Sequence, residues 1–226
     1  LSYYLEVWML VTVFGATGPT GVRVCELAAA AGFEVRATSR RGGTLAVPEL
    51  GEVTLARADV VTGEGVEEAV AGAGAVLSVL GEKYTKKPVN VYSAGTQAIV
   101  NALRRDGRGQ RLVVVSSGMT YPPPRGFGFV ADRIVFPLLR NVVGRTLYAD
   151  MRRMEETLKQ ADDIVWTVMR PGRLFDAPTV SAYRVDVDHP SQGYTARIDL
   201  AAAMVAELDP ATAHVHQAVA PTTTRR

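Results

Sequence analysis

Residues 10–21 read Leu10-Val11-Thr12-Val13-Phe14-Gly15-Ala16-Thr17-Gly18-Pro19-Thr20-Gly21. The apolar run Leu10 to Phe14 predicts a buried strand, and Pro19 opens a helix, because its fixed φ and missing N–H are harmless in a first turn. Between them lie three glycines with a regular spacing. Gly15 allows a tight turn off the strand, Gly18 removes a side chain where backbone must approach a ligand, and Gly21 allows close packing of the helix. The helix N-terminus then offers free N–H groups and a partial positive charge, which suits a pyrophosphate. A glycine triplet alone is weak evidence. Placed after a strand, ahead of a helix and at the head of a βαβ unit, it predicts dinucleotide binding.

Outward from this loop, short apolar runs alternate with amphipathic stretches as far as about residue 170, the pattern of parallel βαβ units. Further strands are predicted at Phe33 to Thr38, Val53 to Arg57, Ala75 to Leu80, Leu112 to Val115 and Ile164 to Met169. Helices are predicted up to Gly32, over Val91 to Arg105, and over Thr146 to Gln160, where Leu147, Met151, Met154 and Leu158 share a face. Beyond Pro171 the pattern loosens into a strand (Val180 to Val185), a helix (Ile198 to Glu207), a strand (His214 to Val219) and a frayed end from Pro221. These elements predict an α/β three-layer Rossmann fold: a doubly wound, mainly parallel sheet with helices on both faces. One domain is expected over residues 9–226, with a small substrate-side portion at about 171–220. Residues 1–8 read as an upstream extension ahead of Met9.

The end of the second strand distinguishes between dinucleotides. An acid there would meet a ribose 2′-hydroxyl, but the chain reads Thr38-Ser39-Arg40-Arg41. Arginine pairs with a 2′-phosphate through charge-assisted bonds, so NADP(H) is preferred over NAD(H), with Arg40 the stronger candidate. Asp59-Val60 either borders the adenine or forms a turn before the next helix. Gly118 to Gly144 departs from the regular pattern, carrying Pro122-Pro123-Pro124 and the aromatics Tyr121, Phe127, Phe129 and Phe136. It follows a strand's carboxyl end, so it is either a substrate wall or a structural loop and helix.

Bulk properties exclude several other classes. A 226-residue chain with 47% hydrophobic and 21% charged residues is ordinary globular material, long enough to hold a core without metal or disulfide. A formal net charge of +2 gives no reason to expect nucleic acid or an anionic membrane. No segment has the ~18 apolar residues of a membrane span, and the single cysteine, Cys25, fits a reducing, cytoplasmic setting. His189, His214 and His216 lack acids or cysteines at ligand spacing, so no metal is expected. Ser116-Ser117-Gly118 is not a nucleophile elbow, and Glu155-Glu156 is expected to be a solvated face.

Taken together, GATGPTG at 15–21, Ser39-Arg40, Asp59-Val60, VLSVLG at 76–81, VVVSSG at 113–118, YADMRRMEETL at 148–158 and WTVMRPGRL at 166–174 resemble the atypical short-chain dehydrogenase/reductases. The resemblance is to their NAD(P)H-binding group, which includes biliverdin/flavin reductases and NmrA-like proteins. It implies a cofactor across the carboxyl edge of the sheet, held by Gly15, Thr17, Gly18, Pro19, Thr20, Gly21, Ser39, Arg40, Asp59, Val60, Leu80, Gly81, Ser116 and Pro171. It further implies Ser117 and Tyr148 as catalytic candidates, and hydride transfer to a flavin, quinone or similar small-molecule acceptor. Two departures stand out. Where the superfamily has Tyr-x-x-x-Lys, this chain has Tyr148 and Arg152, a neighbouring cation that would still favour phenolate. The histidine of the biliverdin/flavin reductases is replaced at Gly172-Arg173. The first departure leaves an NmrA-like sensor without turnover as the alternative. A sugar-nucleotide epimerase needs a larger carboxyl-terminal part, and monomer and homodimer both stay open.

Overall fold

The computed structural model describes residues 9–47, 50–108, 111–124, 126 and 128–224; Phe127 and the upstream residues 1–8 lie outside them. In chain order the elements are β1 (Leu10–Phe14), α1 (Pro19–Ala30), β2 (Glu34–Ser39), β3 (Thr44–Val47), β4 (Gly51–Thr54), β5 (Ala56–Arg57), α2 (Val66–Val70), β6 (Ala75–Ser78), α3 (Val91–Asp106), β7 (Arg111–Val115), α4 (Phe136–Leu138), α5 (Arg145–Lys159), β8 (Val165–Met169), β9 (Arg173–Phe175), β10 (Arg184–Val187), β11 (Tyr194–Ala196), α6 (Arg197–Ala206) and β12 (Gln217–Thr222). Wide π-helical turns, Ala131–Val135 and Leu139–Val143, flank α4.

The main sheet has the order β10-β12-β8-β7-β6-β1-β2-β5. All its pairings are parallel except β10 with β12. Parallel central strands are covered on both faces, which is why β1, β6 and β7 read as continuous apolar runs and not as alternating ones. Two apolar clusters sandwich the sheet. Val24 and Cys25 of α1 pack with Leu200 and Met204 of α6 on one face; Val70 of α2, Ile99 and Leu103 of α3 and Met154 and Leu158 of α5 pack on the other. This is the expected three-layer arrangement. Burial pushes the Cys25 thiol up to about 12, so it behaves as a small core side chain.

Four local expectations are corrected. The strand drawn over Val53 to Arg57 is split: β4 turns back on β3 as an antiparallel hairpin, and only Ala56–Arg57 joins β2. Leu45, Val47, Val53 and Leu55 bring this hairpin onto the α1-side cluster. The strand placed at Val180 to Val185 shifts to Arg184–Val187, because Ser181 donates its N–H and hydroxyl to the Asp199 carboxylate (2.8 and 2.7 Å). The last strand begins at Gln217, since His216 has a left-handed φ of 55° that no strand accommodates. Pro221 and Thr222 are buried strand residues rather than a frayed end.

Glu155 is the largest correction. It is 2 % exposed, and its carboxylate is clasped by the Arg170 guanidinium at 2.5 and 3.2 Å, while Glu156 remains exposed. The signal was present in the sequence: Glu155 lies four residues after Met151 and three before Leu158, on the apolar face. Arg170 likewise shares its strand face with Trp166 and Val168. Breaking one side of a buried pair leaves an uncompensated charge, so Glu155→Ala should lose about 3–5 kcal/mol of stability. Urea denaturation checks this; Glu155→Met with Arg170→Met should lose less than Glu155→Ala alone, and the reverse order would refute the assignment.

Candidate functional site

Because the strands are parallel, the ends of β1, β2, β5, β6, β7 and β8 open on one edge of the sheet, and the candidate residues collect there. Gly15 has φ +79°, and a Cβ on it would stand 2.5 Å from the Val79 carbonyl oxygen and 3.2 Å from the Leu80 nitrogen. The loop therefore lies directly on the end of β6, beside Leu80. A Cβ on Gly21 would collide with the Gly15 carbonyl and the Ala16 backbone, so its glycine is needed for the helix's first turn to close against the loop. Gly18 differs. Its φ is −76°, and a Cβ there would meet only the Gly15 oxygen at 3.4 Å. Nothing inside the chain demands glycine at 18, and its missing side chain leaves the loop open to a ligand.

The first turn of α1 has the groups to receive that ligand. It has no side-chain cap and no acidic residue, leaving its N–H groups for an anion. Thr17 and Pro19 are exposed, whereas Thr20 is buried. The start of α3, by contrast, is filled: the fully buried Asp150 carboxylate accepts from the Tyr92 and Ser93 N–H groups (2.9 and 3.4 Å), the Ser93 hydroxyl and Arg153 (3.0 Å).

At the end of β2 the Ser39 hydroxyl donates to the Gly42 carbonyl (2.9 Å) and accepts from the Arg41 N–H (3.3 Å). That turn leaves Arg40 and Arg41 exposed, and no carboxylate among the described residues pairs with either. Arg36 on the same strand is spent on the carbonyls of Ala69 and Ala71, both at 2.8 Å. Asp59 caps its own turn, accepting from the Val61 N–H at 2.9 Å, and Val60 is packed in the core. Gly81 faces open space. These features fit a dinucleotide lying across the edge: a cradle with unspent donors at Thr20 and Gly21, backbone at Leu80-Gly81, and free guanidiniums beyond β2.

On the β7–β8 side the sequence candidates divide. Ser116 is buried, and its hydroxyl is spent, donating to Glu155 at 2.6 Å and lying 2.9 Å from the Thr120 hydroxyl. Pro171 is buried, with its carbonyl accepting the Gly118 N–H at 2.8 Å. Ser117 and Tyr148 lie near one another: the Ser117 hydroxyl accepts the Met119 N–H at 3.2 Å and is close enough to favour the Tyr148 phenolate, while the Tyr148 phenol is 2.7 Å from the Tyr84 phenol. Tyr84 was not legible as a site residue, since nothing in the loop 82–87 marks its contact across the edge. Burial, followed by the bond to Tyr84, raises the Tyr148 pKa above the ordinary value of 10. The idea that Arg152 favours the phenolate is corrected, because its guanidinium turns away to the Thr120 carbonyl at 2.9 Å. Tyr148 is a neutral hydrogen-bonding group.

The 118–144 region stands beside this pair. Pro122-Pro123 and Phe136-Pro137 enclose a cavity of about 130 Å³ backed by Asp132 and Arg140, and Tyr121 stacks over the Arg170 guanidinium at 4.7 Å. The three histidines serve the scaffold or lie aside. His214 bonds Glu207 (2.6 Å) and His216 the Ile164 carbonyl (2.8 Å), while His189 precedes Pro190, which packs on Gly118.

With the glycine cradle in place, comparison with known proteins gives the family. The sequence profile of the NAD(P)H-binding family matches residues 15–210. The chain belongs to the NAD(P)H-binding family. An uncharacterized chloroplastic protein of Arabidopsis thaliana is 31% identical over 209 residues, covering 87% of this chain and 70% of that protein. A Streptococcus pneumoniae protein provisionally named an NADH-flavin reductase superposes with a TM-score of 0.75 at 20% identity, over 96% of this chain and 100% of that one. A Veillonella parvula short-chain dehydrogenase/reductase, solved with NADP, superposes with a TM-score of 0.73 at 15% identity, over 96% and 95%. These likenesses establish the Rossmann-like fold. Among the described residues no helix is long and apolar enough to cross a membrane.

The glycines make a separable test. Gly18→Ala should change stability by no more than about 1 kcal/mol yet weaken dinucleotide binding in a fluorescence titration, whereas Gly21→Ala should lower the melting temperature. Equal effects on both properties would refute the division. For Tyr148, the difference in phenolate absorbance between wild type and Tyr148→Phe should stay flat up to pH 10; a titration well below that would show an activated phenol.

Proposed function

We propose that the chain is an NADPH-dependent oxidoreductase that delivers hydride to a flavin, a quinone or a related conjugated acceptor. The observation that carries the choice of NADPH is the exposed Arg40-Arg41 pair, free of carboxylate partners among the described residues, at the strand end where a ribose 2′-phosphate would lie. The bound dinucleotide would supply the hydride, two electrons with a proton, to the acceptor. The N–H groups of Thr20 and Gly21 would hold the pyrophosphate, with Thr17 beside it. Leu80, Gly81 and Pro171 would line the nicotinamide half, and Asp59-Val60 the adenine side.

Ser117 and Tyr148 would face the acceptor as hydrogen-bond donors. A phenol kept neutral by burial can donate to a flavin nitrogen or a quinone oxygen as negative charge develops there, the electrostatic form of catalysis. Tyr121, the Pro122-Pro123-Pro124 run, Phe136 and Pro137 would form the wall, whose apolar, aromatic character suits a planar acceptor. The flavin-related name of one protein of the same fold is consistent with this choice. Placement in the cytoplasm fits a lone, buried cysteine.

A second reading has its own observation. Arg152 replaces the usual lysine and is engaged with Thr120, so the chain lacks the group that activates the tyrosine; a dinucleotide-responsive regulatory protein without turnover would need none. Mixing the protein with NADPH and FMN, FAD or quinones separates the two. Oxidation of NADPH supports the reductase, and tight binding with no acceptor reduced supports the sensor. Arg40→Ala should weaken NADPH roughly 10- to 100-fold, the worth of a charge-assisted bond, and NADH by less than about twofold; equal losses would remove the 2′-phosphate assignment.

A further inference from the structure

The helical segment between Gly128 and Gly144 leaves an apolar stripe in water. Phe129 is 76 %, Val142 67 % and Ile134 56 % exposed, and Val130, Val135, Leu138 and Val143 are exposed with them. These are seven of the fifteen exposed large hydrophobics among the described residues; the other eight are spread singly or in pairs from residue 50 to residue 215. The stripe recurs at 130, 134, 138 and 142, one position per turn, and the π-helical turns on either side of α4 keep it continuous; the Gly144 N–H reaches back to the Leu139 carbonyl at 2.7 Å. Contiguous exposed apolar surface of this kind marks a contact site in a soluble protein.

The charge around the stripe decides what the contact is. Arg133 lies on the segment itself and Arg145 directly after it, both exposed. Lys83, Lys86 and Lys87 lie in a loop fastened to the first turn of α5, just beyond the segment, by the Thr146 hydroxyl on the Thr85 carbonyl (2.8 Å) and by the Tyr84–Tyr148 bond. Against these five cations the two stretches carry two acids, Glu82 and Asp132, whose carboxylates accept the N–H groups of Lys83 and Gly126. The whole chain has a net charge of only +2, so the concentration is local. A second copy docked by two-fold symmetry would set the same cations against one another. An apolar helix face rimmed by Lys and Arg instead matches the interface of an anionic bilayer, with the apolar side chains among the acyl boundaries and the cations at the headgroups.

We infer that this segment seats the protein reversibly on an anionic phospholipid surface. The expectation of no membrane association rested on net charge and the lack of a spanning segment, and a helix lying in the interface needs neither. Docking does not depend on the proposed reduction, because it can be read without cofactor or turnover.

The test is co-sedimentation of the full chain with phosphatidylcholine vesicles and with mixed phosphatidylcholine–phosphatidylglycerol vesicles, at low and high salt. Binding to the mixed vesicles should exceed binding to phosphatidylcholine about tenfold and fall with salt. It should be lost in Ile134→Asp with Val142→Asp, and weakened in Lys83→Glu with Lys86→Glu; unchanged NADPH affinity would show that each variant is folded. If the aspartate variant fails that control, Phe129→Trp supplies a second readout, a blue shift of the introduced indole's fluorescence on mixed vesicles. Absence of binding by wild type, or no such shift in the Phe129→Trp variant, overturns the inference. So does binding that survives the folded aspartate variant, or a wild-type dimer on size exclusion that the same variant dissociates.

Discussion

Arg170 and Glu155 are two charges withdrawn from water, and the arrangement of the active edge follows from how they are kept there. Desolvation of a guanidinium and a carboxylate costs several kcal/mol each, recovered only if their remaining hydrogen-bonding capacity is met. Glu155 therefore also takes the Ser116 hydroxyl, and Arg170 also takes the Asp188 carbonyl and carboxylate, both at 3.3 Å, under the Tyr121 ring. Through these bonds one pair joins the end of β7, the end of β8, the middle of α5 and the turn after β10. Ser117 follows Ser116, Pro171 follows Arg170, and Tyr148 lies two turns before Glu155. The position of each is inherited from a salt bridge that does no chemistry itself.

The opposite half of the edge is held differently. Among the described residues no charge is buried near the glycine loop; backbone approach does the work there. Gly15 and Gly21 answer to the chain, one through a left-handed turn against Val79 and the other through the first turn of α1 folding onto Gly15. Gly18 has an ordinary φ and no close backbone neighbour, so no demand within the chain accounts for it. That division explains how one loop can be rigid and still present unspent N–H groups. The contrast with α3, whose N-terminus is filled by Asp150, shows that a vacant helix start is a choice of sequence and not a default.

Legibility in the sequence followed the range of the forces involved. The strand, loop and helix over 10–30 were readable almost to the residue, because tight turns, proline at a first helical position and apolar periodicity act within a few residues. The hairpin of β3 and β4 was missed because Val53 to Arg57 reads as one strand, whereas the chain reverses between Val47 and Gly51 and packs both arms on the α1-side cluster. The start of β12 moved because His216 takes a left-handed conformation while its ring reaches the Ile164 carbonyl, a contact 52 residues away. Glu155 was misread because a lone acid on an apolar face acquires meaning only once Arg170 stands opposite.

The sequence by itself determined the α/β architecture, the dinucleotide cradle at 15–21 and the basic end of β2, since each is written in local spacing and residue type. The tertiary structure alone decided that Ser116 is structural while Ser117 lies near Tyr148, that Tyr148 is capped by Tyr84 and stays neutral, and that the 128–144 segment turns its apolar side outward. These outcomes depend on which side chains from distant elements meet at the strand ends. Packing and desolvation select those meetings, and no local pattern encodes them.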